Sequence, residues 1–421
     1  MLDINFIREN LGLLRETIKN KQLEGTVDVD KLIKVYDKYS DVLRQVETKR
    51  NLRNNLSDAI SKVSPEEKSK LVKEAVQIKE DLKKLEDELS KYKIELDKLL
   101  VWVPNVYASD VPIGKDESKN VVLRKEGKVP QFDFTPKDHL ELGEKLGIID
   151  VQRGTKVAGF RGYYLLGRGV ELEQAILRFA LDLMKSRGFV ELRVPWMVKP
   201  EFLFGTGFFP WGEDDHYKVE EDKSLIGTAE VSLISYYANE VLDEKDLPIK
   251  LFGASPCFRR EVGSYGKDTK GVFRIHEFMK VEQVVLIPAD ENLSKEWHEK
   301  MISYSEEFLK ALGLSYQVVL MCTGELGAPQ YKKIDLNTWF PSQNKYRETH
   351  SASCLLDFQA RRLGIKYRGK GHESKYVYTL NNTVAATPRL LAAILENYQQ
   401  KDESVVIPEA LRKYTNFDVI K

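Results

Sequence analysis

The apolar positions follow a helical rule in the first hundred residues and a different one afterwards. Over 66–100 the stripe runs Leu71, Ala75, Ile78, Leu82, Leu85, Leu89, Tyr92, Leu96, Leu99, at spacings of 4 and 3 with Lys and Glu between. That is the heptad signature of a coiled-coil helix. Leu32, Tyr36, Tyr39, Leu43 and Val46 obey the same rule, and Leu52, Leu56, Ala59 and Val63 resume it after a slip in phase. Between the stripes, Ser64 as N-cap, Pro65 at the first helical position and Glu67 at the third predict a capping box. A short link between two heptad helices turns the chain back, so the pattern predicts an antiparallel hairpin. At ~1.5 Å per residue its second helix is roughly 50 Å long, an arm rather than a compact domain.

After Pro104 the period changes. Short β-rich runs at 162–166, 189–192, 284–287 and 376–380 alternate with helical patterns around 170–187, 229–243, 292–312 and 388–398. The chain therefore reads as an α+β protein: an arm over 1–104, then one large domain over 105–421 built on a mostly antiparallel sheet.

Composition narrows the function classes. Lys+Arg and Asp+Glu both number 65 in 421 residues, so a nucleic-acid partner has to be met by local patches. Three scattered Cys exclude a disulfide framework and a thiolate zinc site, and fit a reducing compartment. No apolar run approaches the ~18 residues of a spanning helix, and Asp3 and Glu9 are unlike a secretory or transit leader. These features predict a cytoplasmic protein with no membrane partner.

Within the arm, residues 28–100 hold 17 Lys/Arg and 16 Asp/Glu, almost neutral. Yet Arg44, Lys49, Arg50 and Arg53 share their stretch with one acid, Glu47, and with Asn51, Asn54 and Asn55. Charge alone reads this as a solvated helix face; a phosphate-contacting strip is the sharper alternative.

In the second domain, Phe258-Arg259-Arg260-Glu261 leads into a Gly- and Lys-rich loop and then Val272-Phe273-Arg274-Ile275-His276-Glu277-Phe278. An arginine held on a strand grips phosphate with a planar fork, and a cationic loop suits an entering polyanion. The whole string resembles motif 2 of the class II aminoacyl-tRNA synthetases, and of the seryl-tRNA synthetase family in particular. The resemblance runs along nearly the whole chain. Met1-Leu2-Asp3-Ile4 to Arg8-Glu9-Asn10 is similar to that family's opening, and Gly188-Phe189 to Val194-Pro195 to the dimer-forming motif 1. Thr228-Ala229-Glu230 is similar to its serine-binding loop, and 347–362 and 379–399 to the segments around motif 3.

The resemblance implies a class II antiparallel-sheet catalytic domain with a tRNA-binding coiled-coil arm. The implied activity is a serine–tRNA ligase. Serine and ATP give seryl-adenylate, and the seryl group passes to the 3′ end of tRNA-Ser, with selenocysteine tRNA a further candidate. It implies Mg²⁺ and a homodimer. Arg259 would hold the α-phosphate, Glu261 the adenine amino group and Arg274 the far phosphates. Ile275 would line the nucleotide site and Phe278 would stack on adenine. Glu348 and Ser351 would hold Mg²⁺, and Arg389 would complete the clamp, Arg259 and Arg389 being the catalytic pair. Arg260, Thr349 and His350 fall in the same ATP-binding runs. Thr228, Ala229, Glu230, Arg259, Glu282 and Thr383 would bind serine, and Arg44, Lys49, Arg50 and Arg53 would bind tRNA.

Taken alone, each residue has a plainer reading: Glu230 and Glu282 as ion-paired acids, Phe278 as core, Arg389 as a helix-start cation, His276 and His350 as hydrogen-bonding groups. Several positions depart from the family's usual pattern, namely Ala352, Cys354, Asn382, Pro388, Gly227 and Ser232. None removes a group expected to touch ATP or serine. A synthetase-like binding protein without aminoacylation is the alternative function.

Overall fold

Hydrophobic periodicity becomes packing first in the helices. The computed structural model describes residues 1–60, 64–262, 271–369, 371 and 373–421. It divides the chain into two units. One comprises Asp3–Lys19 and Leu23–Val103, the other Met1–Leu2, Asn20–Gln22 and Pro104–Lys421.

The first unit contains α1 (Ile4–Glu9), α2 (Leu11–Asn20, shared at its last residue), α3 (Val29–Ile60) and α4 (Pro65–Leu100). Ion pairs Lys31–Glu95 at 3.0 Å and Lys49–Asp81 at 2.7 Å show α3 and α4 running antiparallel. On α4, Ile78, Leu82 and Leu96 of the expected stripe are buried, as is Leu100, which lies outside it. On α3 the face is rotated: Leu32, Val35, Val42 and Val46 are buried, while Tyr36, Tyr39 and Leu43 lie half-exposed at the flank. Valine fits the closely approached seam, and a tyrosine keeps its hydroxyl in water at the edge. Leu52, at the slip in phase, is 42% exposed. The link residues 61–63 and the Glu67 half of the capping box lie outside what is described.

The second unit is organised by eight strands: β1 (Val121–Glu126), β2 (Val190–Glu191), β3 (Ile249–Phe258), β4 (Glu277–Ile287), β5 (Tyr316–Leu320), β6 (Lys332–Phe340), β7 (Lys345–Leu356) and β8 (Tyr378–Ala386). Their order across the sheet is β1-β5-β6-β7-β8-β4-β3-β2, antiparallel except for the parallel edge pair β2–β3. Three helices supply much of the cover: α5 (Arg168–Ser186), α6 (Glu291–Ala311) and α7 (Thr387–Asn397). Phe179 of α5 stacks on Phe308 of α6 at 5.0 Å between centroids. The Asp290 carboxylate caps α6 by accepting from the Asn292 and Leu293 N–H groups. Pro388 lies in the first turn of α7, where no N–H is required.

One helix is shorter than its pattern, and the strand patterns at 162–166 and 189–192 contract to Tyr164–Leu165 and Val190–Glu191. Instead of a helix across 229–243 the chain makes a six-residue turn of helix, Glu230–Ser235, and a strand at Val241–Asp243. Asn239, with φ +63°, separates them, and its N–H donates to the Leu363 carbonyl. Among the described residues no helix is long and apolar enough to cross a membrane.

Candidate active site

Strand register decides which of the candidate residues meet. Along β4, Phe278, Lys280 and Glu282 alternate onto one face, and Glu282 lies opposite Thr383 of β8. A register shift between Val281 and Glu282 marks the spot, the kind of irregularity that re-aims side chains beside sites. On β6 and β7, Asp335 lies opposite Ser351 and Asn337 opposite Glu348. These faces converge on a cavity of about 470 Å³.

At one end of the cavity one carboxylate is held by side-chain amides and another by a lysine and a threonine. Glu230 Oε1 accepts from Gln359 Nε2 and Asn381 Nδ2, both at 2.8 Å. Burial first, and then the nearby Glu282 charge, raise the Glu230 carboxyl to a pKa of about 7. Lys280 Nζ donates to Thr228 Oγ1 at 2.8 Å and pairs with Glu282, and Thr383 Oγ1 donates to Glu282 at 3.4 Å. This group is a polar nest of paired donors and acceptors, suited to a small ligand bearing both an ammonium and a hydroxyl.

At the other end arginines predominate. Arg259 follows β3; its N–H donates to the His276 carbonyl at 2.9 Å and its Nε to the Gly227 carbonyl at 3.2 Å. The guanidinium lies 5.3 Å from the Phe278 ring centre. Arg274 contacts Glu261 at 2.5 Å, and Glu261 sits at φ +56°. Arg389 donates to the Glu348 carbonyl at 2.8 Å, lies 3.3 Å from its carboxylate and covers the Phe273 ring at 4.9 Å. The charges of Arg389, Lys333 and Arg259 outweigh the desolvation of the Glu348 carboxyl and hold it well below the usual carboxylate range. A fixed anion among cations is thus available at any ordinary pH.

The cavity wall contains Arg259, Glu261, Arg274, Ile275, Phe278, Glu348, Thr349, Ser351 and Arg389 together with Thr228, Glu230, Glu282 and Thr383. Three expected residues are not in that wall. Arg260 places its guanidinium on the Asp214 carbonyl at 3.0 Å. His350 is buried between Thr349 Oγ1 at 2.9 Å and the Val384 carbonyl at 3.0 Å. Ala229 is fully buried, in an apolar cluster with Leu233 and Ile234. Among the wall residues with no counterpart among the expected ones are Lys280, Gln330, Lys333 and Asn381. Lys280 and Asn381 were reachable in principle, since each lies two residues from a candidate on the same strand face. Gln330 and Lys333 carried no such signal. Of the departures, Asn382 is fully buried, its Nδ2 donating to the Met301 carbonyl and to Ser305 Oγ at 2.8 Å each, behind the site.

Three of the four arm cations do face acids, contrary to their local sequence. The returning helix α4 brings Asp81 to Lys49 at 2.7 Å and Glu86 to Arg50 at 2.7 Å, while Arg44 pairs with Asp41 at 2.6 Å. Arg53 donates to Asn54 Oδ1 at 3.2 Å. Such exposed pairs are worth about 0.2–1 kcal/mol, so a phosphate can displace the acid.

Two family patterns match the chain: "Seryl-tRNA synthetase N-terminal domain" over residues 1–107, and "tRNA synthetase class II core domain (G, H, P, S and T)" over 213–398. The chain is 45% identical to a serine–tRNA ligase of Deinococcus radiodurans, covering 98% of this chain and 97% of that one. Its structure is similar to the crystal structure of seryl-tRNA synthetase from Pyrococcus horikoshii complexed with ATP, with a TM-score of 0.93 and 41% identity over 100% and 99% of the two chains. It is likewise similar to the cytoplasmic serine–tRNA ligase of Naegleria fowleri in complex with AMP, with a TM-score of 0.86 and 33% identity over 100% and 99%.

Proposed function

The chain belongs to the seryl-tRNA synthetase family, and on that premise we propose how its own residues divide the work of charging tRNA-Ser with L-serine. The reaction is that of a serine–tRNA ligase. The serine carboxylate attacks the α-phosphorus of ATP and pyrophosphate leaves; a hydroxyl of the terminal ribose of tRNA then attacks the seryl carbonyl and AMP leaves. The carboxylate is already a nucleophile, so the first step needs positioning and charge stabilisation rather than a general base.

In this reading Glu230 receives the serine ammonium, and Glu282 with Thr383 receives the hydroxyl. Arg259, held by Gly227 and stacked on Phe278, faces the α-phosphate, where charge builds up. Arg274 and Arg389 hold the outer phosphates, with Phe278 and Ile275 against the adenine. Glu348, anionic by its surroundings, and the Ser351 hydroxyl form an oxygen donor set of the type that suits Mg²⁺. When bound there, the ion would screen the phosphate charge. Tying these roles together is one observation: the buried acids Glu230 and Glu282 and the arginine cluster line a single cavity.

A binding protein without aminoacylation finds no support in a cavity that retains Arg259, Glu261, Arg274, Glu348 and Arg389 together. Arg44, Lys49, Arg50 and Arg53 are proposed as the arm's phosphate contacts. A cytoplasmic homodimer joined through 188–195 completes the reading; Val190, Trp196 and Met197 in and beside that segment are 58%, 42% and 54% exposed. ATP–pyrophosphate exchange run with each amino acid tests the assignment: exchange should depend on serine, and equal exchange with another amino acid would overturn it.

A further inference from the structure

Asn20–Gln22 is distant in sequence from the catalytic domain yet packs within that unit. Its central residue, Lys21, is 3% exposed. Lys21 Nζ donates to the carbonyls of Gln330 at 2.6 Å, Ala328 at 3.2 Å and Gly327 at 3.3 Å. An ammonium has three donors and no acceptor, so this one turn takes all of them. Burial lowers the Lys21 pKa to about 7, a cost that an ordinary packing residue would not carry.

The turn Gly327–Gln330 is also a wall of the cavity. Gln330 carries the connection onward: its Oε1 accepts from the Gly327 N–H at 2.7 Å, and its Nε2 donates to Ser353 Oγ at 2.9 Å, also in the wall. On the opposite side Pro329 lies so close to Gly207, at φ +86°, that a Cβ there would stand 2.8 Å from the proline ring. Thr206, next to that glycine, accepts through its carbonyl from Gln359 Nε2 at 2.9 Å, and the same nitrogen donates to Glu230. The turn is thus held by Lys21 on one side and abuts the frame of Glu230 on the other.

We propose that Lys21 is a positioning residue for the amino-acid end of the active site, fixing the turn Gly327–Gln330 against Gly207 and so the placement of Glu230. This rests on the reading of Glu230, Glu282 and Thr383 as the serine site. Lys21→Met keeps length and apolar volume while removing every donor.

The test is ATP–pyrophosphate exchange by the full chain, with KM for serine, KM for ATP and kcat measured separately. K21M should raise KM for serine at least tenfold, with KM for ATP and kcat within threefold. A merely structural role would lower the active fraction and leave both KM values alone; that outcome, or an unchanged serine KM, overturns the proposal. Should K21M not fold, Gln330→Leu leaves Lys21 in place and cuts the link to Ser353. It must then show the same selective rise, and an unchanged serine KM counts against the proposal. Glu230→Gln separates the two readings. If E230Q leaves serine KM unchanged, the serine-site assignment fails. If E230Q raises KM or abolishes exchange while K21M does neither, only the role of Lys21 fails.

Discussion

Asn381 Nδ2 donates to Glu230 Oε1 at 2.8 Å, joining two residues 151 apart in sequence in the wall of one cavity. This bond and that from Gln359 favour the Glu230 carboxylate, and burial still raises its pKa to about 7. The folded carboxyl therefore holds its proton more tightly than the unfolded one. Between the ordinary value of 4.5 and about 7 stability falls as pH rises, and the cost is fully present above about 7. The difference corresponds to roughly 3 kcal/mol. E230Q, without serine, should melt several degrees above the parent protein at pH 8 and at the same temperature at pH 5. Equal melting differences at both values would show that the carboxyl is not strained.

The clamp at the other end makes a complementary prediction. Arg389 contacts both the carbonyl and the carboxylate of Glu348. Removing one preorganised charge partner costs about 10²–10³ in rate. Arg389→Ala should lower kcat for pyrophosphate exchange by about that factor, with KM for serine within threefold. A larger change in serine KM than in kcat would contradict the division of the cavity into two ends.

Selectivity should follow from paired polar groups. Alanine lacks the hydroxyl and would leave Glu282 and Thr383 with only each other and Lys280 as partners, and sites that pair a substrate hydroxyl reject such analogues by about 10⁴–10⁵. Threonine adds only a methyl and should be excluded less sharply. Thr383→Val should narrow the serine-to-alanine ratio at least tenfold. Alanine-supported exchange within about tenfold of serine in the parent protein would refute the pocket assignment.

The arm is expected to serve tRNA alone. Replacing residues 30–98 with a short linker should leave serine-dependent exchange largely intact and abolish tRNA charging. Arg50→Ala with Arg53→Ala should weaken tRNA binding and flatten its salt dependence by up to about two phosphate contacts. Glu86→Gln, which frees Arg50 from its partner, should tighten binding slightly at low salt. Efficient charging by the armless protein would sink the assignment.

Sedimentation equilibrium should give twice the 48.5 kDa chain mass at micromolar concentration. A fully active monomer would exclude the dimer.

The sequence by itself determined the two long helices, because Leu71 through Leu99 repeat at a period that only a helix presents as one stripe. It also set Arg259, Glu261 and Arg274 in one stretch of chain, and all three line the cavity. Most of the sheet was not legible. β3, β5, β6 and β7 are largely buried, so they lack the alternation that marks a half-exposed strand. Which valines of α3 face the seam was decided by α4, as were the acids opposite Lys49 and Arg50. Lys21 illustrates the limit: an isolated lysine in a polar stretch carries no local signal. Only the tertiary fold places the carbonyls of residues 327, 328 and 330 around it, because hydrogen-bond partners 300 residues away are set by packing and not by periodicity.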